Sequence, residues 1–316
     1  MKGFVFDLQR FKHISSSDIS AVLSGTSSDD EIYNSGMLAK IFASSGNDKI
    51  NNTGNSVNIF GDDGNDYIYN YGKWAKIYGG SGRNVIYNYG QYSEVWGGDD
   101  TISTNARVTI YAGAGNDSIS NTKANVTIDG GTGNDIILNS NSNVSLYGGE
   151  GNDIISLGGY SWYYGNTAQG GAGNDTIFND GKQQVYKYFA GDGDDVIVGI
   201  NDKDTICIVD GKYTSTTSGN DVIIKVGAGS LTLKNGIEKT FSIDGVPDVA
   251  EPVEIDLTPY WKLDGSTATY GILKETLITV TGVKSVEGLS LNGEVVTVSK
   301  VALGTDNVTV SNAYTR

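Results

Sequence analysis

Isoleucine returns every nine residues. Ile41, Ile50, Ile59, Ile68, Ile77 and Ile86, followed by Val95, keep this interval without a slip, and after a contraction at GGDDTI it resumes through Ile110, Ile119, Ile128, Ile137, Leu146 and Ile155. Few folds accept such a rule. Nine residues hold one short strand and one tight turn, and two such units make one turn of a flattened parallel coil. Coils joined by backbone hydrogen bonds stack about 4.8 Å apart, so about ten give a rod on the order of 50 Å long. A β-branched residue at one fixed position fills the narrow interior. A helical reading fails because glycine recurs in every period, at about 1 kcal/mol for each one in a helix interior. A disordered chain rich in Gly, Asn and Ser has no reason to hold an apolar residue in strict register.

A second period, of two such units, marks one edge of the coil. SSGNDKI and DDGNDYI carry Asp48 and Asp66, 18 residues apart, and AGNDSI, TGNDII, EGNDII, AGNDTI and DGDDVI carry Asp117, Asp135, Asp153, Asp175 and Asp195. An irregular copy, SSDDEI, places Asp30 a further 18 residues upstream. Residues i and i+2 of a strand face the same way, so each aspartate points inward beside the isoleucine that opens the core. An inward carboxylate without a partner is costly, and a stack of them repels. A divalent cation removes both problems. Calcium takes six to eight hard oxygens, from carboxylates and backbone carbonyls, and glycine turns bend sharply enough to expose those carbonyls. The array offers no His or Cys for zinc, and magnesium's octahedral demand suits it less well. Several calcium ions along one edge are therefore expected.

The copies GGTGNDIIL (130–138), GGEGNDIIS (148–156) and GGAGNDTIF (170–178) resemble the RTX, or haemolysin-type, calcium-binding nonapeptide repeat, and the resemblance covers roughly residues 25–240. It implies an all-β fold, a right-handed parallel β-roll with 18-residue coils, folding that depends on calcium, and a secreted or cell-surface protein. It also implies that the sixth-position aspartate is a ligand. That role falls on Asp135, Asp153 and Asp175, and by the same alignment on Asp48, Asp66, Asp117 and Asp195, with Asp30 and Asp100 as less regular candidates. Carbonyls of the turns around Gly130, Gly131, Gly133, Gly148, Gly149, Gly151, Gly170, Gly171 and Gly173 complete the shell. SGRNVI departs from the pattern: Asn84 stands at the ligand position beside Arg83, so that site keeps an oxygen but loses a charge.

Alternate units depart from the family pattern altogether. Their sixth positions are Ala39, Val57, Ala75, Ser93, Val126 and Val144, none of which offers a carboxylate. The roll is therefore expected to bind metal along one edge only. The other edge opens each unit with Asn34, Asn52, Asn70, Asn88, Asn121 and Asn139. These either form a ladder of amides from coil to coil or are solvated turn residues.

The ninth position faces outward, and here it carries Phe42, Phe60, Tyr78, Trp96, Tyr111, Asp129 and Tyr147, with Tyr71, Trp74, Tyr89 and Tyr92 at the neighbouring turns. Such a stripe either stacks on itself or binds a glycan or cell-surface component. A formal charge of −15 excludes a phosphate-binding surface, so nucleic acid is not an expected partner. No apolar run approaches the roughly 18 residues of a membrane span. MKGFVFDLQRF is too soon charged for a signal peptide, so an export route independent of one is expected. His13 is the only histidine, and HExxH, GxSxG and a Ser/His/Asp set are all missing, which argues against an enzyme. Carboxylate pairs leave a carbohydrate-active enzyme, or an accessory module of one, as the weaker alternative. The single cysteine, Cys207, reads as a buried strand residue.

The expected organisation is an N-terminal segment, a candidate cap, over 1–24, the calcium-binding roll over 25–199 and its cap over 200–243. A linker follows over 244–252, where two of the three prolines fall, and then a small β module over 253–316. The insertion LGGYSWYYGNTAQ (157–169), with Trp162 and Tyr163, lengthens one coil. An Asn-Gly turn is expected at Asn292–Gly293.

Overall fold

A computed structural model describes residues 12–158 and 165–248, together with eight short strands between 261 and 313. The first 11 residues of the expected N-terminal segment, and Trp162 and Tyr163 of the insertion, lie outside the described residues. The chain divides into two compact units, Met1–Asp248 and Val249–Arg316.

The first unit is a parallel β-solenoid of about 11 turns, with coils of about 18 residues. Each coil gives one strand to each of two parallel sheets. In the first sheet, Ile32, Ile50, Ile68, Ile86, Ile102, Ile119, Ile137, Ile155, Ile177 and Ile197 lie in register from coil to coil. In the second, Leu23, Ile41, Ile59, Ile77, Val95, Ile110, Ile128 and Leu146 do the same. All of these side chains are buried. Each buried isoleucine contributes about 1.5–3 kcal/mol relative to exposure, and the residues that set the period supply much of the core. Farther along the second sheet, Ala168 is followed by the larger, buried Tyr186, so a small and a large side chain share the space that two isoleucines fill elsewhere.

The edge that lacks aspartate extends this core. Ala39, Val57, Ala75, Val126 and Val144 are buried, and buried Ser93 turns its Oγ to the Ala75 N–H at 3.2 Å. Coiling begins upstream of residue 25. The strand Lys12–Ser16 already pairs in parallel with Asp30–Asn34, and Val22–Ser24 with Lys40–Phe42.

At the far end the two sheets are tied together. The long strand Thr205–Ser218 continues the second sheet, then pairs antiparallel with Asp221–Val226. That strand pairs antiparallel with Gly229–Lys234, which lies parallel against Asp194–Val198 of the first sheet. Antiparallel pairing covers strand edges that a simple continuation would leave open. Cys207 lies in the long strand and is half-buried, not fully enclosed, because it falls between the inward Ile206 and Ile208.

In the second unit, antiparallel pairs join Trp261–Asp264 to Thr267–Tyr270, Leu277–Thr281 to Thr309–Ala313, and Val283–Glu287 to Lys300–Leu303. Ser290–Asn292 pairs with Val295–Thr297, with Asn292 opposite Val295, while Gly293 of the expected Asn-Gly turn lies outside the described residues.

Candidate metal centre

The sixth-position side chains form one continuous ladder. The Lys12 N–H donates to Asp30 Oδ1 at 2.8 Å, the Asp30 N–H to Asp48 Oδ1 at 2.6 Å, and the Asp48 N–H to Asp66 Oδ1 at 2.7 Å. The rungs continue through Asn84, Asp100, Asp117, Asp135, Asp153 and Asp175 to Asp195 at 2.5–2.9 Å. All ten side chains are buried. The ladder crosses the contraction, where Asn84 and Asp100 are 16 residues apart, and the insertion, where Asp153 and Asp175 are 22 apart.

One carboxylate oxygen is thus held by protein. The other separates the copies into classes. Oδ2 of Asp48, Asp66, Asp117, Asp135, Asp153 and Asp175 is buried with no hydrogen-bond partner. Asp30 Oδ2 instead accepts from the Thr26 N–H at 2.6 Å and the Thr26 hydroxyl at 3.0 Å, and Asp100 Oδ2 accepts from the Gly98 N–H at 3.0 Å. At Asn84 the ladder requires Oδ1 to face the Asp66 N–H, so Nδ2, a donor, occupies the place where its neighbours present an oxygen. A cation is disfavoured there.

Four of the unpartnered oxygens, those of Asp66, Asp135, Asp153 and Asp175, sit against the glycine that opens their turn, whereas the turns of Asp48 and Asp117 open with Ala43 and Ala112. A Cβ on Gly130 would lie 2.3 Å from Asp135 Oδ2 and 2.5 Å from the Gly148 carbonyl oxygen, and Gly148 and Gly170 stand in the same relation to Asp153 and Asp175. Gly131, Gly149 and Gly171 have φ of 102°, 119° and 108°, and Gly133, Gly151 and Gly173 have φ of 121°, 125° and 141°. A side chain at these six would also meet a carbonyl of the coil before. The cradle therefore offers hard oxygens only, which suits calcium. Among the described residues, no three Asp, Glu, His or Cys side chains converge on one point, so an ion here draws on turn carbonyls as well.

Burial raises the carboxyl pKa values along the file. Asp48, Asp100 and Asp153 are pushed up to about 6, Asp66, Asp117 and Asp175 to about 7, and Asp195 to about 8. Asp135 is raised as well. Loss of water is the leading cause in each case. The N–H rung opposes it, and a neighbouring carboxylate adds to it.

A second ladder on the same edge has no counterpart among the sequence expectations. The Asn of GND accepts from the next coil: the Asn65 N–H donates to Asn47 Oδ1 at 2.9 Å, and the Asn134, Asn152 and Asn174 N–H groups each donate to the preceding asparagine at 2.7 Å. Its signal is present in the sequence, since turn formation alone does not demand asparagine at the fifth position of six of the ten copies.

On the opposite edge the amide ladder forms. Asn34 Nδ2 donates to Asn52 Oδ1, Asn52 to Asn70 and Asn70 to Asn88, each at 2.7 Å, and Asn121 donates to Asn139 at 2.8 Å. The outward stripe also resolves. Phe42, Phe60, Tyr78, Trp96 and Tyr111 stack in sequence with centroids 4.5–5.9 Å apart, and Lys76 lies over Trp96 at 5.8 Å. These rings cover one another's faces and offer no free platform at Tyr78 or Trp96. His13 lies 3.8 Å from Glu31 and packs on Tyr33 at the start of the roll.

Two parallel sheets wound in 18-residue coils, with one edge of aspartates over glycine turns, define a parallel β-roll. Within it, residues 97–125, 111–143, 129–159, 163–180 and 188–207 match the RTX calcium-binding nonapeptide repeat (four copies), so the chain carries RTX repeats across 97–207. The match is narrower than the resemblance over 25–240. Upstream copies keep the aspartate but replace the second glycine of the turn with Thr26, Ser44 and Asp62, the last two held at φ of 79° and 66°. No curated protein matches the chain. Among the described residues no helix is long and apolar enough to cross a membrane.

Proposed function

We propose that the chain is a calcium-binding scaffold of the cell exterior or cell surface, held along one edge by several calcium ions and ordered by them. The observation that carries this reading is the file of six buried, unpartnered Oδ2 atoms, four of which (Asp66, Asp135, Asp153 and Asp175) sit against the glycine that opens their turn. Asp48, Asp66, Asp117, Asp135, Asp153 and Asp175 are the ligands in this reading, with Asp195 at the end of the file. Asp30 and Asp100, whose second oxygens are already bonded, and Asn84, which presents a donor, hold rungs of the ladder instead. Bound calcium supplies positive charge to the carboxylates and links one coil to the next.

The chain's own part is to keep the file in register. Each Oδ1 accepts an N–H from the coil before, which fixes the carboxylate plane and leaves Oδ2 toward the turn. Where calcium is scarce, the file costs stability through burial and mutual repulsion. In millimolar calcium, binding to the folded form alone favours the ordered roll. Folding is thereby coupled to export from a calcium-poor compartment. The amide ladder and the ring stacks contain no metal ligand, so the opposite edge holds without calcium.

Circular dichroism of the EDTA-treated chain during a calcium titration, with magnesium as control, tests the reading. A cooperative gain of β signal in calcium alone is expected. A full β signal in EDTA that calcium leaves unchanged, in spectrum and in unfolding midpoint, overturns it.

A further inference from the structure

We propose that the edge opposite the aspartates binds an acidic oligosaccharide at the turns Asn70–Ala75 and Asn88–Ser93. Four rings crowd these two turns. Tyr71 and Tyr89 stack at 5.0 Å and Trp74 and Tyr92 at 6.0 Å, yet they remain 54%, 39%, 55% and 52% exposed. Unlike the rings of the outward stripe, they stand in pairs and not in a continuous column. The preceding coil places Thr53 and Ser56 beside Tyr71 and Trp74, so the two rings form a ledge above small residues.

The backbone makes this placement costly. Trp74 and Tyr92 sit at φ of 54° and 59°, left-handed positions that cost an L-residue about 1–2 kcal/mol each. Leu38, Ser56, Asn125 and Asn143 occupy the same kind of turn position in other coils, and of these Leu38 is also large, apolar and exposed. Rings left half in water recover little of that cost by burial, and one stacking contact per pair offsets only part of it. Strain of this kind at exposed aromatics marks a ligand surface better than a structural one.

The charge of the neighbours selects the ligand. The N–H groups of Ser56, Trp74 and Tyr92 donate to the carbonyls of Lys73, Gln91 and Arg107, which sets those three residues in file beside the rings. Lys73 and Arg107 are exposed, and among the described residues no carboxylate forms an ion pair with either. No Asp or Glu occurs in this edge's turns from Asn34 to Val144, although the whole chain carries −15. Ring faces and tyrosine hydroxyls suit the C–H faces and hydroxyls of a sugar, and the two cations suit sparse carboxylates. A single-stranded nucleic acid, with a phosphate on every unit, is disfavoured by the net charge.

This edge contains none of the calcium ligands, so the proposal stands apart from the calcium reading. Titration calorimetry of the full chain in calcium buffer with a short oligogalacturonate tests it, with cellotetraose and oligothymidylate as comparisons. Trp74→Ser with Tyr92→Ser installs the residue that position 56 already tolerates, and Lys73→Gln with Arg107→Gln removes charge alone. Each double variant, checked for an unchanged far-ultraviolet spectrum, is expected to weaken oligogalacturonate binding by roughly tenfold or more. Asp175→Asn is expected to leave it unchanged. Absence of binding, equal affinity for cellotetraose, tighter binding of oligothymidylate, or loss in Asp175→Asn alone (an ion bridging the sugar to the acidic edge) overturns the proposal.

Discussion

Asp175→Asn is expected to change sign with calcium. In the metal-free roll the Asp175 carboxyl is pushed up to about 7 by burial, against an ordinary 3.8. At pH 8 that difference, roughly three units, puts a ceiling of about 4 kcal/mol on the cost of keeping the charge in the fold. The amide keeps the rung, because its oxygen still accepts the Asp153 N–H now held at 2.7 Å. It also leaves a buried N–H₂ in place of Oδ2, at about 1–3 kcal/mol. In EDTA the variant therefore gains about 1–3 kcal/mol. In millimolar calcium it loses a charged ligand, and a tenfold to hundredfold drop in affinity removes about 1.4–2.8 kcal/mol of the stabilisation that binding supplies. Urea unfolding followed by circular dichroism in both buffers reads the two numbers. Asp100→Asn is the control. Its carboxyl is raised less, to about 6, and its new amide group would face the Gly98 N–H that now donates at 3.0 Å, so it gains less in EDTA than Asp175→Asn and its effect does not change sign with calcium. Equal signs for Asp175→Asn in the two conditions would refute the assignment of its Oδ2 to calcium.

Three further outcomes follow from the geometry. Asn70→Ala removes the bonds to Asn52, Asn88 and Gly72 and orphans the Gly72 N–H, so a loss of about 2–4 kcal/mol is expected, the same in EDTA and in calcium. A strongly calcium-dependent loss in urea would show that the two edges are not independent. Gly149→Ala places a Cβ 1.9 Å from the Gly131 carbonyl oxygen at φ of 119°, and an unfolding free energy lowered by at least about 3 kcal/mol in urea is expected; less than about 1 kcal/mol contradicts the close stacking of turns. The third concerns pH. The raised carboxyls of Asp48, Asp66, Asp117, Asp153, Asp175 and Asp195 keep their protons in the folded state to about 6–8, while the unfolded chain loses them near 3.8. Their contribution is full below pH 4 and is lost as pH rises toward 8, so the urea midpoint in EDTA falls across that window. A midpoint that rises instead contradicts the buried, unpartnered state of the file.

Much of the architecture is written in residue types. The nine-residue isoleucine period carries both the coil length and the register, because a one-residue slip would turn Ile137 out and Ile136 in. Ala39, Val57 and Val144 mark the edge without carboxylates for the same reason, since an inward turn position must be apolar or paired. Other features depend on atoms a full coil away. That Asp100 spends its second oxygen on Gly98 while Asp117 does not is a matter of backbone direction in a shortened turn, invisible in the letters GGDD. The stripe of rings posed the same problem. A period of aromatics is equally consistent with rings that bind a ligand and rings that bind each other, and that these rings stack is seen only in the spacing of Tyr78 and Trp96 at 4.5 Å. The closing strands 205–234 escape the repeat because they solve an end problem that no interior coil has.

The two kinds of ladder bear on how such a chain gains or loses length. Aspartate pairs with aspartate and asparagine with asparagine only when whole coils are stacked. A tandem duplication of nine residues would set carboxylates against positions such as Val57 and Ala75 and amides against turn glycines, and break both files at once. A duplication or deletion of 18 leaves every rung with a like partner, and the shortened and lengthened coils here show that a gap at a turn is absorbed as long as one coil remains one coil. Recombination can therefore trim or extend this rod in steps of about 4.8 Å without redesigning any contact, and reach becomes a freely adjustable property.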